Sequence, residues 1–330
     1  MLLYTHPRFL DHDAGRGHPE RPARVQAVAA GLEVAGLLDG LVQVAPRPAT
    51  RDELTRVHSA SYLDALEAFC AAGGGRLDPD TRAVTASWEA ALLAAGAGLD
   101  AVRRLEAGEA ESAFCAVRPP GHHATAAQAM GFCLLNNVAV SAAALAARGE
   151  RVLVLDYDVH HGNGTEEIFW SDPRVLYVSF HQWPLYPGTG PAQDVGAGDG
   201  LGLTVNVPLP EGATGDVELA ALDDVVAPVA EQFRPTWLLL SAGFDAHRRD
   251  PMAGLELTAG DYAVLTGRAM EIVPAGRTVA FLEGGYDLDA LALSAAACVG
   301  ALAGVDHRPE APSSGGPGRE AVDAALRSRP

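Results

Sequence analysis

The segment Arg151–Gly164, RVLVLDYDVHHGNG, constrains this chain more than any other. Val152–Leu155 is a continuous apolar run, the pattern of a strand covered on both faces of a parallel sheet. Directly after it, Asp156, Asp158 and His160 stand at i, i+2 and i+4, so in an extended chain they project from one face. Two carboxylates and an imidazole at the end of a buried strand form a ready set of ligands for a divalent metal. Gly162 and Gly164 then let the chain turn away sharply. The plainer alternative, a strand end followed by a solvated polar turn, suits a lone D-x-D better than it suits this run.

The same beat of apolar strand, polar loop and helix recurs along the chain. Strands are expected at Leu2–Thr5, Val42–Val44, Ala113–Val117, Val175–Phe180, Leu203–Val207, Trp237–Leu240 and Val279–Leu282. Helices are expected at Ala23–Ala35, Ser61–Cys70, Thr85–Ala107, Asn136–Ala147, Val217–Gln232 and Leu288–Gly304, and Ala71–Asp80 reads as a turn-rich loop. About eight strands alternating with helices predict a single α/β domain: an open, mostly parallel sheet with helices on both faces. Its body runs over residues 1–305, and the Pro-, Gly- and Ser-rich stretch 306–330 is expected to be a mobile tail, with room for a short terminal helix.

Composition removes several function classes. With 24 basic against 42 acidic residues the net charge is −18, which argues against nucleic acid and favours cationic substrates. All the basic residues are arginine, so Schiff-base chemistry and a P-loop lysine are absent. Cys70, Cys115, Cys133 and Cys298 form no C-x-x-C pair and indicate neither a disulfide scaffold nor a cysteine metal site. No apolar run reaches the ~20 residues of a membrane span and the first residues do not read as a signal peptide, so a cytoplasmic location without membrane association is expected.

Ligands of an open parallel sheet bind beyond the carboxyl ends of its strands. Four such ends carry unusual polar groups here: His122–His123, Asp156/Asp158/His160, Asp245 and Tyr286. Asp158, His160 and Asp245 make a three-donor set with coordination positions left over, as a catalytic metal site requires. Two carboxylates on the metal acidify its water less than neutral imidazoles would, so a base is needed nearby, and His122–His123 can supply it. Tyr286, after Gly284–Gly285, can donate its hydroxyl to a carbonyl oxygen gaining charge. Together these groups describe hydrolysis of an amide or ester.

The motifs RPPGHH (118–123), GFCLLNN (131–137), DYDVHHGNGT (156–165), YPGTG (186–190), SAGFDAH (241–247) and EGGY (283–286) resemble the zinc-dependent histone deacetylase family. The bacterial acetylpolyamine amidohydrolases and acetoin-utilisation deacetylases belong to that family. The resemblance is collinear from His6 to Gly304 and implies the arginase/deacetylase fold and removal of acyl groups from acylated lysine or acylated small amines. Carried over by motif, Asp158, His160 and Asp245 hold zinc (or ferrous iron), His123 is the general base and acid with His122 beside it, and Tyr286 is the oxyanion donor. Asp156 orients His122, and Asn163 stands behind His123, at a position where the family often has aspartate. A potassium ion is implied at Asp156, Asp158, Ser179 and the carbonyls of His160 and Phe180.

Gly131, Phe132 and Tyr186 match the lining of the family's acyl-lysine channel, and Arg21 matches an arginine of its inner cavity. The acid that holds the substrate at the rim is Asp78 or Asp80, between which LDPDT aligns ambiguously. Met252 follows Asp250–Pro251 where a polyamine-specific enzyme is expected to carry an acid, which leans against polyamines. Two other readings compete: a binuclear ureohydrolase, for which His247 stands where an acid is needed, and a catalytically dead acyl-binding module, for which loss of Tyr286 or the histidines would be the mark. Acyl length and oligomeric state are left open by the sequence.

Overall fold

In the computed structural model, which describes residues 1–330, the apolar runs become eight parallel strands of one sheet. In chain order the strands are β1 (Leu2–Tyr4), β2 (Val42–Val44), β3 (Gly74–Arg76), β4 (Arg82–Val84) and β5 (Ser112–Cys115). They continue with β6 (Val152–Asp156), β7 (Val175–Gln182), β8 (Thr204–Leu209), β9 (Trp237–Ala242) and β10 (Thr278–Leu282). The sheet order is β2-β1-β5-β10-β9-β6-β7-β8, with β3 and β4 apart as an antiparallel hairpin. Strands buried on both sides divide their residues between two cores. Leu153, Leu155, Leu238 and Leu240 enter one, Val152, Val154, Trp237 and Leu239 the other, as a period of two dictates. The two cores, of 45 and 42 buried residues, are nearly equal, so helices cover both faces to the same extent. The expected fold class is the one observed. No helix is long and apolar enough to cross a membrane.

Several elements differ from the sequence expectation, among them the following. The loop Ala71–Asp80 contains β3, because Gly74 takes a positive φ of 75° and a Cβ there would stand 2.1 Å from the Ala83 carbonyl oxygen. The helix expected over Val217–Gln232 is interrupted by a π-type turn, Leu222–Val226, just before Pro228, which has no N–H to donate. The helices Asn163–Phe169 and Ala259–Met270 have no counterpart in the sequence expectation; the second begins at a capping box formed by Thr258 and Asp261.

The stretch 306–330, expected to be mobile, lies along the body. Glu310 pairs with His247 and Arg248, both at 2.8 Å, Asp261 accepts from the Ser313 N–H, and the helix Arg319–Ser328 buries Val322 and Ala325. Its anchors are single polar contacts and two small apolar residues, which leave no periodic signal in composition.

Candidate active site

Asp156 ends β6 and faces Ser179 on β7 and Ser241 on β9 in register. Beyond the strand the chain is held by its own carboxylates: Asp156 accepts from the Asp158 N–H at 3.1 Å, and Asp158 from the His160 N–H at 2.9 Å. Asp245 reaches over from the loop after β9 and accepts from the Val159 N–H at 3.1 Å. His160 Nδ1 then lies 3.2 Å from Asp158 Oδ1 and 3.1 Å from Asp245 Oδ2. One oxygen or nitrogen of each of Asp158, His160 and Asp245 falls within 4.8 Å of the others, and all three side chains are buried.

Two glycines make that convergence possible. A Cβ on Gly243 would stand 2.0 Å from Asp158 Oδ2, and one on Gly284 would stand 2.0 Å from Asp245 Oδ2. Two buried carboxylates this close to each other need a cation between them. The imidazole alone leaves the pair with a net negative charge, so the donor set fits a divalent metal with nitrogen and oxygen ligands.

The histidine pair sits on the turn after β5, and its backbone is fixed from β10. Glu283 accepts from the Gly121 N–H at 2.6 Å and the His122 N–H at 3.2 Å. Burial pushes the Glu283 carboxyl up to about 7 although the His122 charge and the Gly121 N–H oppose it. His122, Cys133 and Glu283 form a second close group of metal-type side chains. Burial keeps the Cys133 thiol well above its usual pKa, so this group supplies no thiolate and acts as the backing of the turn.

The two rings, 4.0 Å apart between centroids, are held in different charge states. His122 Nδ1 is 2.9 Å from Asp156 and His123 Nδ1 is 2.9 Å from Asn163 Oδ1. Burial disfavours charge on both. At His122 the carboxylates of Asp156 and Asp158 overcome it and push the imidazole up to about 10. At His123 burial and the neighbouring positive His122 hold the ring well below its ordinary pKa, so it is neutral.

His123, His160 and Tyr286 border a cavity of about 140 Å³ whose walls are Phe132, Tyr186 and Met252. Gly131 and Asp80 complete the lining. A Cβ on Gly131 would come within 2.3 Å of the His123 ring, so glycine lets the wall close on that ring. Phe132 takes a φ of 68°, in the left-handed region that a bulky residue adopts only when its surroundings impose it. Thr81 Oγ1 imposes it by accepting from the Phe132 N–H at 3.0 Å. Tyr286 is buried, and burial and the Asp245 charge keep its phenol well above its ordinary pKa, so it stays a donor.

The structure separates the two rim candidates. Asp80 lines the cavity, whereas Asp78 accepts from the N–H groups of Asp80 and Thr81 and stabilises the loop. Ser179 and Phe180 are buried on β7 beside Asp156, with Ser179 Oγ 2.9 Å from His181 Nδ1. Arg21 is not in the cavity; it is exposed. The buried arginine of the two is Arg24, in the first turn of the helix Ala23–Val34, which donates to the Gly285 carbonyl at 2.7 Å and lies 5.0 Å over the Tyr286 ring. His247 turns its Nε2 to Glu310, so it contributes nothing to a second metal. Sequence reasoning gave no role to Arg24, Glu283 or Asp250, although Glu283 lies within the EGGY motif.

The chain is similar to known deacetylases in sequence and in fold. Residues 18–302 match the model of the histone deacetylase domain. A histone deacetylase-like amidohydrolase of Pseudomonas aeruginosa is 40% identical over 298 residues, covering 88% of this chain and 78% of that protein. A probable deacetylase of Archaeoglobus fulgidus is 40% identical over 311 residues, covering 92% of this chain and 86% of that one. The crystal structure of the HDA15 HD domain superposes with a TM-score of 0.92 at 37% identity, covering 99% of this chain and 95% of that chain.

Proposed function

Because this chain belongs to the histone deacetylase family, we propose that it is a metal-dependent amidohydrolase that removes acetyl or another acyl group from acylated lysine or an acylated amine. One observation carries the reading: the buried Asp158–His160–Asp245 set and the adjacent His122–His123 pair meet at a narrow cavity that His123, His160 and Tyr286 line. Asp158, His160 and Asp245 would hold the metal, zinc or ferrous iron, and Asp156 and Ser179 with neighbouring carbonyls would hold a potassium ion beneath it. When bound, the divalent metal supplies Lewis acidity and a lowered water pKa.

The chain's own groups account for the proton traffic. With Nδ1–H donated to Asn163, His123 keeps the Nε2 lone pair free to take a proton from the attacking water. His122 stays an imidazolium against Asp156 and stabilises negative charge developing beside it. Tyr286 donates its hydroxyl to the carbonyl oxygen as that oxygen becomes an oxyanion. As the C–N bond breaks, His123 returns its proton to the leaving nitrogen, giving a carboxylic acid and an amine, which leave as carboxylate and ammonium once the acid's proton passes to the amine. Phe132 and Tyr186 hold the apolar stem and exclude bulk water, and Asp80 accepts from a substrate N–H at the rim.

Release of acetate from an acetyl-lysine peptide by the metal-loaded protein tests the reading. Chelation should abolish it, and Asp245→Ala should lose both the activity and stoichiometric metal while the far-UV circular dichroism spectrum is kept. Full metal occupancy in that variant, by elemental analysis, would overturn the assignment.

A further inference from the structure

The cavity opens into a larger groove of about 470 Å³, with which it shares Asp80, Phe132 and Met252. The groove lies between the segment Ala14–Pro19 and the β3–β4 hairpin, and three of its lining residues are arginines: Arg16, Arg76 and Arg82. All three are exposed, and none has a carboxylate within 4.0 Å, whereas most other arginines of the chain are ion-paired. Arg76 donates to the Pro79 carbonyl at 2.6 Å, which fixes its stem on the hairpin loop. Asp80 is the single acid in the lining. The nearby Asp13 and Asp78 are turned to the backbone, accepting from Gly15 N–H and Asp80 N–H at 2.9 Å each.

Three unpaired arginines at one opening are opposite in sign to the molecule, whose net charge is −18. With acids outnumbering bases 42 to 24, an unselected surface would place acids here, or pair these arginines with them. The overall charge suggests cationic substrates, but the field a substrate meets at the mouth is the local one, since charges more than ~8–10 Å away are screened at physiological ionic strength. The groove, at about 470 Å³ against about 140 Å³ for the cavity, accepts an extended segment beyond the acylated stem.

We propose that this protein acts on acyl-lysine set in an acidic peptide segment, and that Arg16, Arg76 and Arg82 select that segment by binding carboxylates that flank the acylated residue. The proposal rests on the amidohydrolase reading above. It places an acylated polyamine among the poor substrates, because its distal ammonium would meet the same arginines.

Three matched acetyl-lysine peptides, flanked by glutamates, serines or arginines, test it. At low ionic strength kcat/KM should be about ten-fold higher for the acidic than for the basic peptide, mainly through KM, and the gap should close in ~0.5 M salt. Arg16→Glu/Arg82→Glu, which leaves the Arg76–Pro79 contact in place, should reverse the order. Equal values for the acidic and basic peptides, or an unchanged order in the double variant, would overturn the proposal. Hydrolysis of the serine-flanked peptide checks the underlying reading separately. If no peptide is cleaved, that reading fails, and fluorescence anisotropy of the labelled acidic and basic peptides still decides whether the groove prefers carboxylates.

Discussion

The carboxylate of Asp250 accepts a hydrogen bond from the Tyr286 N–H at 2.6 Å. The same side chain accepts from Asp287 N–H at 3.2 Å and, through its other oxygen, from Met252 N–H at 3.0 Å. One buried carboxylate therefore fixes the backbone of both Tyr286, the proposed oxyanion donor, and Met252 on the cavity wall. Asp250 is a positioning residue, since it lines neither the cavity nor the metal set.

Asp250→Asn keeps one acceptor oxygen but turns an NH2 group toward N–H donors. A mispaired buried N–H costs about 1–3 kcal/mol, so the variant should remain folded with reduced stability. Turnover should fall about ten-fold, because catalytic geometry tolerates little displacement. If Asp250 acts through Tyr286, adding Asp250→Asn to Tyr286→Phe should cost little more than Tyr286→Phe alone, and a double-mutant cycle on kcat reads that coupling. Additive losses would show that Asp250 acts elsewhere.

Asn163 gives a second test, in pH. His123 is kept neutral by burial and by the adjacent His122 cation. Asn163 accepts from its Nδ1 at 2.9 Å without adding charge. A carboxylate in its place favours the imidazolium and raises the His123 pKa. Asn163→Asp should therefore move the acid limb of the kcat/KM profile to higher pH, since His123 must be unprotonated to act as base. An unmoved limb would exclude His123 as the group that limits activity on the acid side.

How much of this was legible in the sequence depends on the range of each interaction. The β6 run and the D-x-D-x-H spacing are local: they predicted the buried strand and two members of the close donor group, Asp158 and His160, while Asp156, read with them, turns to His122 instead. Asp245 was legible only because it too follows an apolar strand. Arg24 was missed because Arg21 precedes the helix Ala23–Val34 and stays exposed, whereas Arg24 lies in its first turn and is buried over Tyr286, a boundary that two arginines three residues apart do not reveal. Glu283 and Asp250 were missed because their partners are backbone N–H groups distant in sequence, which leave no side-chain signature. The docked C-terminal stretch was missed for a related reason, its anchors Glu310, Val322 and Ala325 being isolated residues in polar surroundings.

His58 links the histidine turn to stability at low pH. It is buried and held down to about 4 by desolvation, with Nδ1 on the Thr125 carbonyl and Nε2 accepting from the Asn136 N–H, each at 2.9 Å. The folded pKa is below the unfolded value of 6.5, so the stabilisation is fully present above 6.5 and is lost as pH falls toward 4. A shift of that size amounts to about 3 kcal/mol. His58→Gln retains a donor and an acceptor but does not titrate. Urea midpoints measured from pH 7 to pH 4 should fall less steeply for the variant than for the wild type. Identical slopes would remove His58 from the acid transition.

Tyr286→Phe isolates the oxyanion step. The ring packs against Phe132, 5.9 Å between centroids, and lies under the Arg24 guanidinium, so removing only the hydroxyl leaves both contacts. A metal carrying two carboxylates is a moderate Lewis acid, which leaves the carbonyl oxygen in need of a second source of positive charge as it becomes an oxyanion. Losing one such donor typically costs ~10²–10³-fold in turnover, about 3–4 kcal/mol of transition-state stabilisation. The hydroxyl interacts mainly with charge that develops during the reaction, so KM should stay within a few-fold while kcat collapses. Metal content and thermal midpoint should match the wild type. A Phe variant that keeps most of its turnover on the best peptide found would show that another group stabilises the oxyanion, with the His122 imidazolium next in line.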